Sequence, residues 1–213
     1  MIVMPMFPLG TPLMPGSVLP LHVFEPRYRQ MVQDLLAGDD ELRFGVVLIQ
    51  RGHEVGGGDL RSDVGVVARV LDATVTADGR YAIAALGTER FRVIGWRADD
   101  PYPIAEIEAW PDVDADAPTV DPAVVASLAD RVRRIGEQVR SLGGSPPSAD
   151  TGIGDDELTG DDDVTALYRL ASIAPLGPAD RQRILCAPTS SDRAVVLAEA
   201  LDDVAAVLEF RQS

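Results

Sequence analysis

The sequence predicts an α+β protein, in which a small, strongly bent β-sheet or pseudo-barrel with one early helix precedes a subdomain of packed helices. In the first half, short apolar segments with strand-like alternation are separated by glycine, proline and Asp-Gly turn signals. In the second half, apolar residues recur at steps of three and four, as they do along amphipathic helices. We therefore expect a β-rich part over residues 1–111, an acidic linker over 112–120 and a helical part over 121–213.

The opening segment predicts strand, turn, strand and helix in that order. Prolines interrupt its apolar runs at Pro8, Pro12, Pro15, Pro20 and Pro26. Because proline cannot donate to a sheet ladder, the runs between them should be short or edge strands. The last of the five suits the first turn of a helix, which the apolar spacing extends over about 26–37.

The next strands follow from apolar runs and turn residues. A continuous run over 44–50 (FGVVLIQ) predicts a buried strand, and the glycine-rich stretch 52–63 predicts a loop. A strand over about 64–76 then meets Asp78-Gly79, a pair that favours a tight primed hairpin turn.

The return strand should carry Tyr81, Ile83 and Ala85 on one face. After a break at Gly87, the run 90–93 (RFRV) alternates arginine with apolar residues and predicts arginines outside and apolar side chains inside. A last strand is expected over 102–110.

The second half predicts four helices. The first begins after Asp121, with an apolar stripe at Val125, Leu128, Val132, Ile135, Val139 and Leu142. The others are expected over 164–173, 178–186 and 191–211, the last with a buried stripe at Ala194, Leu197, Leu201, Val204 and Leu208. Asp192, with Ser191, is the expected cap of this final helix.

Segment 143–163 holds seven acidic residues, no basic residue and hardly any large apolar side chain. Such a composition cannot bury enough surface to offset the entropy of ordering, so we expect a mobile loop that proteases cut first.

Several motifs occur in a fixed order along the β-rich part. FPL at 7–9 and LPLHV at 19–23 precede FEPRYR at 24–29, and DGRY at 78–81 precedes GTERF at 87–91. The ordered series resembles the amino-terminal, substrate-binding domain of Lon proteases. The resemblance covers roughly the first 110 residues and, more weakly, the later helices.

This resemblance implies a barrel similar to the PUA-type RNA-binding barrel, followed by a helical part. It implies a stand-alone bacterial member of the family, without the ATPase and Lon-type peptidase domains, and it implies polypeptide as the ligand. The chain has no lysine, so it lacks the phosphate-binding lysine and the Ser-Lys dyad that the family's ATPase and peptidase steps use. We therefore expect no hydrolysis of ATP or of casein-type substrates, no cofactor and no enzyme activity.

Net charge and composition further restrict the ligands and the cellular location to be expected for the protein. The net charge is −15: 15 acidic residues against 10 arginines give −5 over residues 1–110, and 19 against 9 give −10 over the rest. A field of this sign repels nucleic-acid phosphates. A single cysteine, no long apolar run and no basic leader favour a cytoplasmic protein.

The residues singled out as candidate binding positions lie at two places in the sequence: Phe24, Glu25, Arg27 and Tyr28 in the first, and Arg80, Arg90 and Phe91 in the second. One interpretation is a surface that contacts peptide. The other is a structural lock, in which Glu25 pairs with Arg27 or Arg90 and the aromatic rings close the edge of a core. From the sequence, the structural interpretation is the stronger.

Other reactive residues form no recognisable site. His22 is expected as a core histidine and Cys186 as a small buried hydrophobe, while His53 has no partner by spacing. The acidic run from Asp112 lacks the glycine and glutamate of a calcium loop and is expected to be a solvated linker. No zinc-ligand pattern or serine nucleophile motif is present.

Three functions therefore compete. The first is a non-catalytic module that binds polypeptide segments or a partner protein. The alternative is an RNA-binding, PUA-like module, which would require arginines 61, 69, 80, 90, 92 and 97 to cluster on one face. The third is a hydrolase with an unrecognised site. Whether the chain forms oligomers is open.

Overall fold

The structure of the chain, a computed structural model, describes residues 2–38, 41–51, 60–113, 120–143 and 163–212. These residues fall into two compact units, Met1–Pro111 and Asp112–Ser213. Nearly all of the expected mobile segment 143–163, the glycines of the expected loop at 52–63 and His53 lie outside the described residues.

The described part of the first unit contains six strands and one helix, in the order β1 (Ile2–Leu9), β2 (Val18–Val23), α1 (Pro26–Ala37), β3 (Arg43–Arg51), β4 (Leu60–Val75), β5 (Tyr81–Trp96) and β6 (Ile104–Ala109). The described part of the second unit contains four helices, α2 (Pro122–Ser141), α3 (Asp163–Ile173), α4 (Pro178–Leu185) and α5 (Ser190–Gln212). The predicted α+β class is confirmed.

The six strands form one sheet that closes on itself. Its order is β2-β5-β4-β3-β1-β6, and β6 also pairs with β5, so five strands make a ring. The inner side chains of this ring form a buried cluster around Phe91, with Met4, Met6, Val47, Val67, Ala105 and Ile107. Strand β2 stands outside the ring and pairs with the first half of β5.

Strand β1 shows how proline is accommodated inside the ring. Its first half, as far as Pro5, pairs with β6, and its second half, Met6 to Leu9, pairs with β3. Each half of β1 therefore forms a ladder on one side only. Pro5 and Pro8 have no N–H to donate, and the unpaired side of each half accommodates them without loss of a ladder hydrogen bond. The expectation of short or edge strands needs this refinement, because β1 lies between two neighbours.

Two details of the hairpin β4–β5 differ from the prediction. Residues 60–63 belong to β4 and not to a loop, since Leu60 and Arg61 pair with β3. The turn is not primed: Gly79 has a positive φ of 75°, whereas Ala77 and Asp78 do not. The Gly79 N–H donates to Thr76 O and the Thr76 N–H to Arg80 O, which is a three-residue loop with a terminal glycine.

Strand β5 is continuous through Gly87, where the sequence predicted a break. A Cβ at this position would lie 2.4 Å from the carbonyl oxygen of Met14, so the close approach of the 13–17 segment requires glycine. Further along β5 the expected in/out alternation fails at Arg90, which is buried, because its guanidinium stacks on the Trp110 ring at 4.5 Å.

The helical unit buries the predicted stripes over most of their length. In α2, Leu128, Val132 and Ile135 are buried, while the terminal member Leu142 is exposed. Asp121 caps α2 by accepting a hydrogen bond from the Ala123 N–H.

The predicted stripe of α5 is buried except at Val204, which is partly buried, but its cap lies at Thr189 and not at Ser191 or Asp192 as expected. The hydroxyl of Thr189 accepts from the Asp192 N–H at 3.0 Å and donates to the Asp192 carboxylate at 2.6 Å. Thr189 is therefore the cap and Asp192 the third helical residue, as in a capping box.

The side chain of Asp112 is largely buried within the helical unit, with 7% of it exposed. Its two carboxylate oxygens accept from both terminal nitrogens of Arg193, at 2.7 and 2.9 Å. The Arg193 guanidinium also stacks on the Tyr168 ring at 4.0 Å. For Asp112 the expectation of solvation was wrong, because a fully buried arginine on α5 requires a carboxylate partner, while residues 114–119 of the expected linker lie outside the described residues.

Candidate functional site

A groove of about 220 Å³ opens where β2 meets α1. It is lined by residues of β1, β2 and the first turn of α1, namely Phe7, Leu9, Pro20, Leu21, His22, Val23, Phe24, Glu25 and Tyr28. Most of these side chains are apolar. The two polar ones are His22, which lies on β2, and Glu25, which lies between β2 and α1. The groove can therefore hold an apolar group beside a few hydrogen-bonding positions.

The aromatic floor of the groove is rigid. The rings of Phe7 and Tyr28 stack with centroids 4.1 Å apart and planes 16° apart, and Phe7 also contacts Phe44 at 6.0 Å. All three side chains are buried. The floor is thus built by strand β1 and helix α1 together, before any ligand is present.

Phe24 is different from these core aromatics, because the residue is 54% exposed. It follows Val23, whose side chain is buried, so strand alternation turns Phe24 outward. The strand ends at Val23, and α1 begins at Pro26. An exposed phenylalanine beside an apolar groove is the feature most typical of a contact surface.

Glu25 is the residue before α1 and forms an ion pair with Arg27. The Arg27 Nε donates to a carboxylate oxygen of Glu25 at 3.1 Å, and both side chains are largely buried, with 19% and 16% exposed. The guanidinium of Arg27 also lies over the Tyr28 ring at 4.5 Å. The pair holds the wall of the groove against its floor.

The predicted residues of the second segment lie elsewhere in the same unit. Phe91 is in the buried core of the ring, and Arg90 lies on Trp110 rather than beside Glu25. Arg80 is exposed and pairs with Asp78 next to the hairpin turn. The structure therefore brings together Phe24, Glu25, Arg27 and Tyr28, but not the other three.

Two single residues differ from their expected environments. His22 is exposed, not in the core, because β2 pairs on one side and the histidine alternates with the buried Val23. Cys186 is partly buried, and the side-chain amide of Gln182 lies 3.4 Å from its sulfur.

Tyr102 links α1 to the segment before β6. Its hydroxyl donates to a carboxylate oxygen of Asp34 at 2.9 Å. Burial and this hydrogen bond to a carboxylate raise the pKa of Tyr102 to about 12. The tyrosine therefore stays neutral and keeps α1 in place over the physiological pH range.

In the described ranges, no group of three or more His, Cys, Asp or Glu side chains is placed to hold a metal ion. No described helix is long and apolar enough to cross a membrane.

Sequence reasoning missed the groove residues outside the FEPRYR string. The sequence pattern is that of ordinary strand residues at four of these positions, Phe7, Leu9, Pro20 and Leu21. Nothing in their spacing indicates that β1 and β2 border one groove. The available signal was Pro20, since a proline inside a strand marks an open edge.

Comparisons with known proteins agree with this architecture. Residues 3–203 match the family model described as the ATP-dependent protease La (LON) substrate-binding domain. The chain is 26% identical over 207 residues to Lon protease 1 of Herpetosiphon aurantiacus and 31% identical over 191 residues to Lon protease 2 of Sorangium cellulosum. These matches cover 96% and 78% of this chain, but only 24% and 23% of the two relatives.

Two solved structures are similar along almost the whole chain. A Lon N-terminal domain protein from Xanthomonas campestris superposes with a TM-score of 0.67 at 27% identity, covering 93% of this chain and 98% of that one. The N-terminal domain of a Mycobacterium avium complex Lon protease gives a TM-score of 0.63 at 18% identity, covering 95% and 99%, and shows the shared fold. The resemblance inferred from the ordered motifs is confirmed.

Proposed function

Because the chain belongs to the family of the LON substrate-binding domain, we propose that it is a non-catalytic module that binds segments of other polypeptides. In this role it would serve as an adaptor or substrate-recognition protein in proteolysis or protein quality control. The cytoplasm, expected from the composition, is the proposed place of action.

The observation that carries the proposal is the exposed Phe24 beside the aromatic groove. Phe24 remains half-exposed, whereas Phe7 and Tyr28 of the same groove lining are buried, so Phe24 offers apolar contact area to a ligand. Covering such a side chain with an apolar group of a ligand gains about 1.5–3 kcal/mol. Unfolded polypeptide segments supply such groups, whereas folded surfaces bury them.

Binding without catalysis is supported by the chemistry of the groove. Its polar side chains are His22 and Glu25, and Glu25 is paired with Arg27. Neither is accompanied by a serine, threonine or cysteine nucleophile in the lining. We expect the purified chain to hydrolyse neither ATP nor casein, and turnover of either that copurifies with the chain through several columns would contradict the proposal.

The test is a binding titration with a fluorescent ten-residue peptide of alternating leucine and arginine, arginine being chosen because the chain carries a net charge of −15. A peptide with serine in place of leucine is the control ligand. We expect Phe24→Ser to weaken binding of the leucine peptide about tenfold or more. Phe210→Ser, at an 85% exposed phenylalanine of α5, should leave binding unchanged. Equal affinity of the wild-type chain and Phe24→Ser would overturn the proposal.

The RNA-binding alternative finds less support. It required six arginines to form a cationic face. Four of them form ion pairs with carboxylates, namely Arg61–Asp99, Arg69–Glu41, Arg80–Asp78 and Arg97–Glu106. These pairs neutralise most of the charge that phosphate binding needs.

A further inference from the structure

The groove runs along the edge of β2 and not over one of its faces. Residues 20–24 all line it, although successive side chains of a strand point to opposite faces. Five consecutive residues can border one groove only where both faces meet, which is the strand edge. No other described strand pairs with this edge, since β2 ends the sheet order.

The backbone polar groups at this edge can be assigned from the ladder. The Gly87 N–H donates to Ser17 O, and the register continues through Val18↔Leu86 to Val23↔Tyr81. Because antiparallel ladders alternate, Val18, Pro20 and His22 direct their backbone groups away from β5. The edge therefore offers the N–H groups of Val18 and His22 and three carbonyl oxygens, and Pro20 has no donor there to leave unpaired.

The opposite wall of the groove, formed by β1, has no free donor to match. The Met6 N–H already donates to Pro103 O at 2.8 Å, and Pro8, which by alternation faces the same side, has no N–H. A ligand that needs backbone donors must take them from β2. The groove is thus asymmetric: one wall can form a ladder, and the other supplies the apolar side chains of Phe7 and Leu9.

We propose that a bound polypeptide segment adds as an extended strand to the free edge of β2, with alternate apolar side chains in the groove over Phe7 and against Phe24. This deepens the proposed function, on which it rests, by assigning the conformation of the ligand. Backbone hydrogen bonds supply affinity independent of sequence, and the groove selects an apolar residue at every second position.

An extended polypeptide is the occupant that fits these features. The alternating donors and acceptors of Val18, Pro20 and His22 match another peptide backbone, whereas a helical ligand has its own backbone groups satisfied. The acidic balance of the chain favours a segment with basic residues between its apolar ones. A second copy of this acidic chain is disfavoured by like charge.

The first test uses two N-methylated forms of the leucine–arginine peptide, one methylated on every leucine and the other on every arginine. In a strand paired on one side, only alternate N–H groups face the partner. We expect one form to lose at least tenfold in affinity for the wild-type chain and the other to bind within threefold of the parent peptide. Equal affinities of the two forms would overturn strand addition to β2.

The second test changes the edge itself. His22→Pro removes the outward N–H, and His22→Thr removes the imidazole but keeps the N–H. We expect His22→Pro to bind the parent peptide at least tenfold more weakly than His22→Thr. The fluorescence of Trp96 and Trp110, both in the first unit, checks that each variant remains folded. If the proline variant unfolds, the methylated peptides decide the question on the wild-type chain.

The outcomes separate this inference from the proposed function. Binding that Phe24→Ser weakens, but that both methylated peptides retain, overturns strand addition and leaves polypeptide binding in place. No binding of the parent peptide overturns both. Sedimentation that shows a dimer of the wild-type chain, abolished by His22→Pro, would assign the edge to a second copy and overturn the inference.

Discussion

Each unit of the molecule contains an arginine that pairs with a carboxylate and stacks on a tyrosine ring, but the two arrangements differ in depth. Arg27 pairs with Glu25 two residues away and lies on Tyr28, at the border of an open groove. Arg193 pairs with the distant Asp112 through both terminal nitrogens, and its side chain is fully buried.

The comparison shows that the same kind of ion pair has a different structural role in each unit. Residues as close as Glu25 and Arg27 meet whenever the turn before α1 forms, so their pair shapes a surface. Asp112 and Arg193 can meet only when the chain before α2 returns to α5, so their pair depends on the complete helical unit. Loss of a partner should therefore cost far more in the second unit than in the first.

The largest effect is expected for Arg193→Met. This change keeps the volume of the side chain but leaves the Asp112 carboxylate buried without its partner, at a cost of about 3–5 kcal/mol in the free energy of unfolding. Urea denaturation followed by circular dichroism at 222 nm measures it, because most of the described helical residues lie in the second unit.

Arg183→Met is the control. Its pairs with Asp180 and Glu199 are exposed, so it should change stability by less than about 1 kcal/mol. If Arg193→Met changed stability as little as Arg183→Met, the expected difference between the buried and the exposed ion pairs would be contradicted.

Glu25→Ala should have an intermediate effect. Because the pair with Arg27 is partly accessible to water, we expect a loss of about 1–2 kcal/mol rather than the cost of a fully buried pair. Denaturation followed by tryptophan fluorescence reports on this unit, which holds both tryptophans. A loss below ~0.5 kcal/mol together with weaker peptide binding would instead make Glu25 a ligand contact. The double variant Glu25→Ala/Arg27→Ala separates the pair energy from the two single effects.

A smaller effect, with a defined pH dependence, is expected for Tyr102→Phe. Removing the hydrogen bond to Asp34 should cost about 1 kcal/mol at pH 7. Since the pKa of Tyr102 is raised to about 12 in the folded chain and is about 10 in unfolded chains, its contribution is complete below pH ~10 and is lost as pH rises towards 12. Urea titrations at pH 8, 10 and 11 should show the wild-type advantage shrinking at the highest pH. A constant difference would contradict the shifted pKa.

The smallest effect on stability is expected for Phe24→Ser, although this variant is expected to weaken peptide binding. Because the side chain is already half-exposed, its loss should change the free energy of unfolding by no more than ~0.5 kcal/mol. The same fluorescence-detected denaturation measures it. A loss of 2 kcal/mol or more would show that Phe24 belongs to the core and would shift the groove towards a structural role.

The sequence predicted most of the fold because its elements carry local signals. Pro26 marks the start of α1, and the alternation of Tyr81, Ile83 and Ala85 gives the buried face of β5. The boundaries of the four later helices follow from their apolar stripes and differ by one or two residues at most. Such signals need no knowledge of distant residues.

The features that the sequence did not predict depend on contacts between distant segments. Arg90 alternates with Phe91 as an outward residue would, but its guanidinium stacks on Trp110, which follows β6 and is distant in the sequence. Asp112 lies in an acidic run whose composition indicates solvent, but in the structure it forms an ion pair with the distant Arg193. The groove is a further case, since it requires β1 and β2 to border the same opening.

The closure of the sheet has a consequence for the time course of synthesis. Ile2 and Met4 pair with Ile107 and Ala105, so the first strand made acquires one of its two neighbours only when the last strand of the unit has been made. Until then the first half of β1 has no ladder partner, and its exposed edge can pair with other chains. Long-range pairing of this kind slows folding. The nascent chain therefore keeps this edge of β1 open until β6 has left the ribosome.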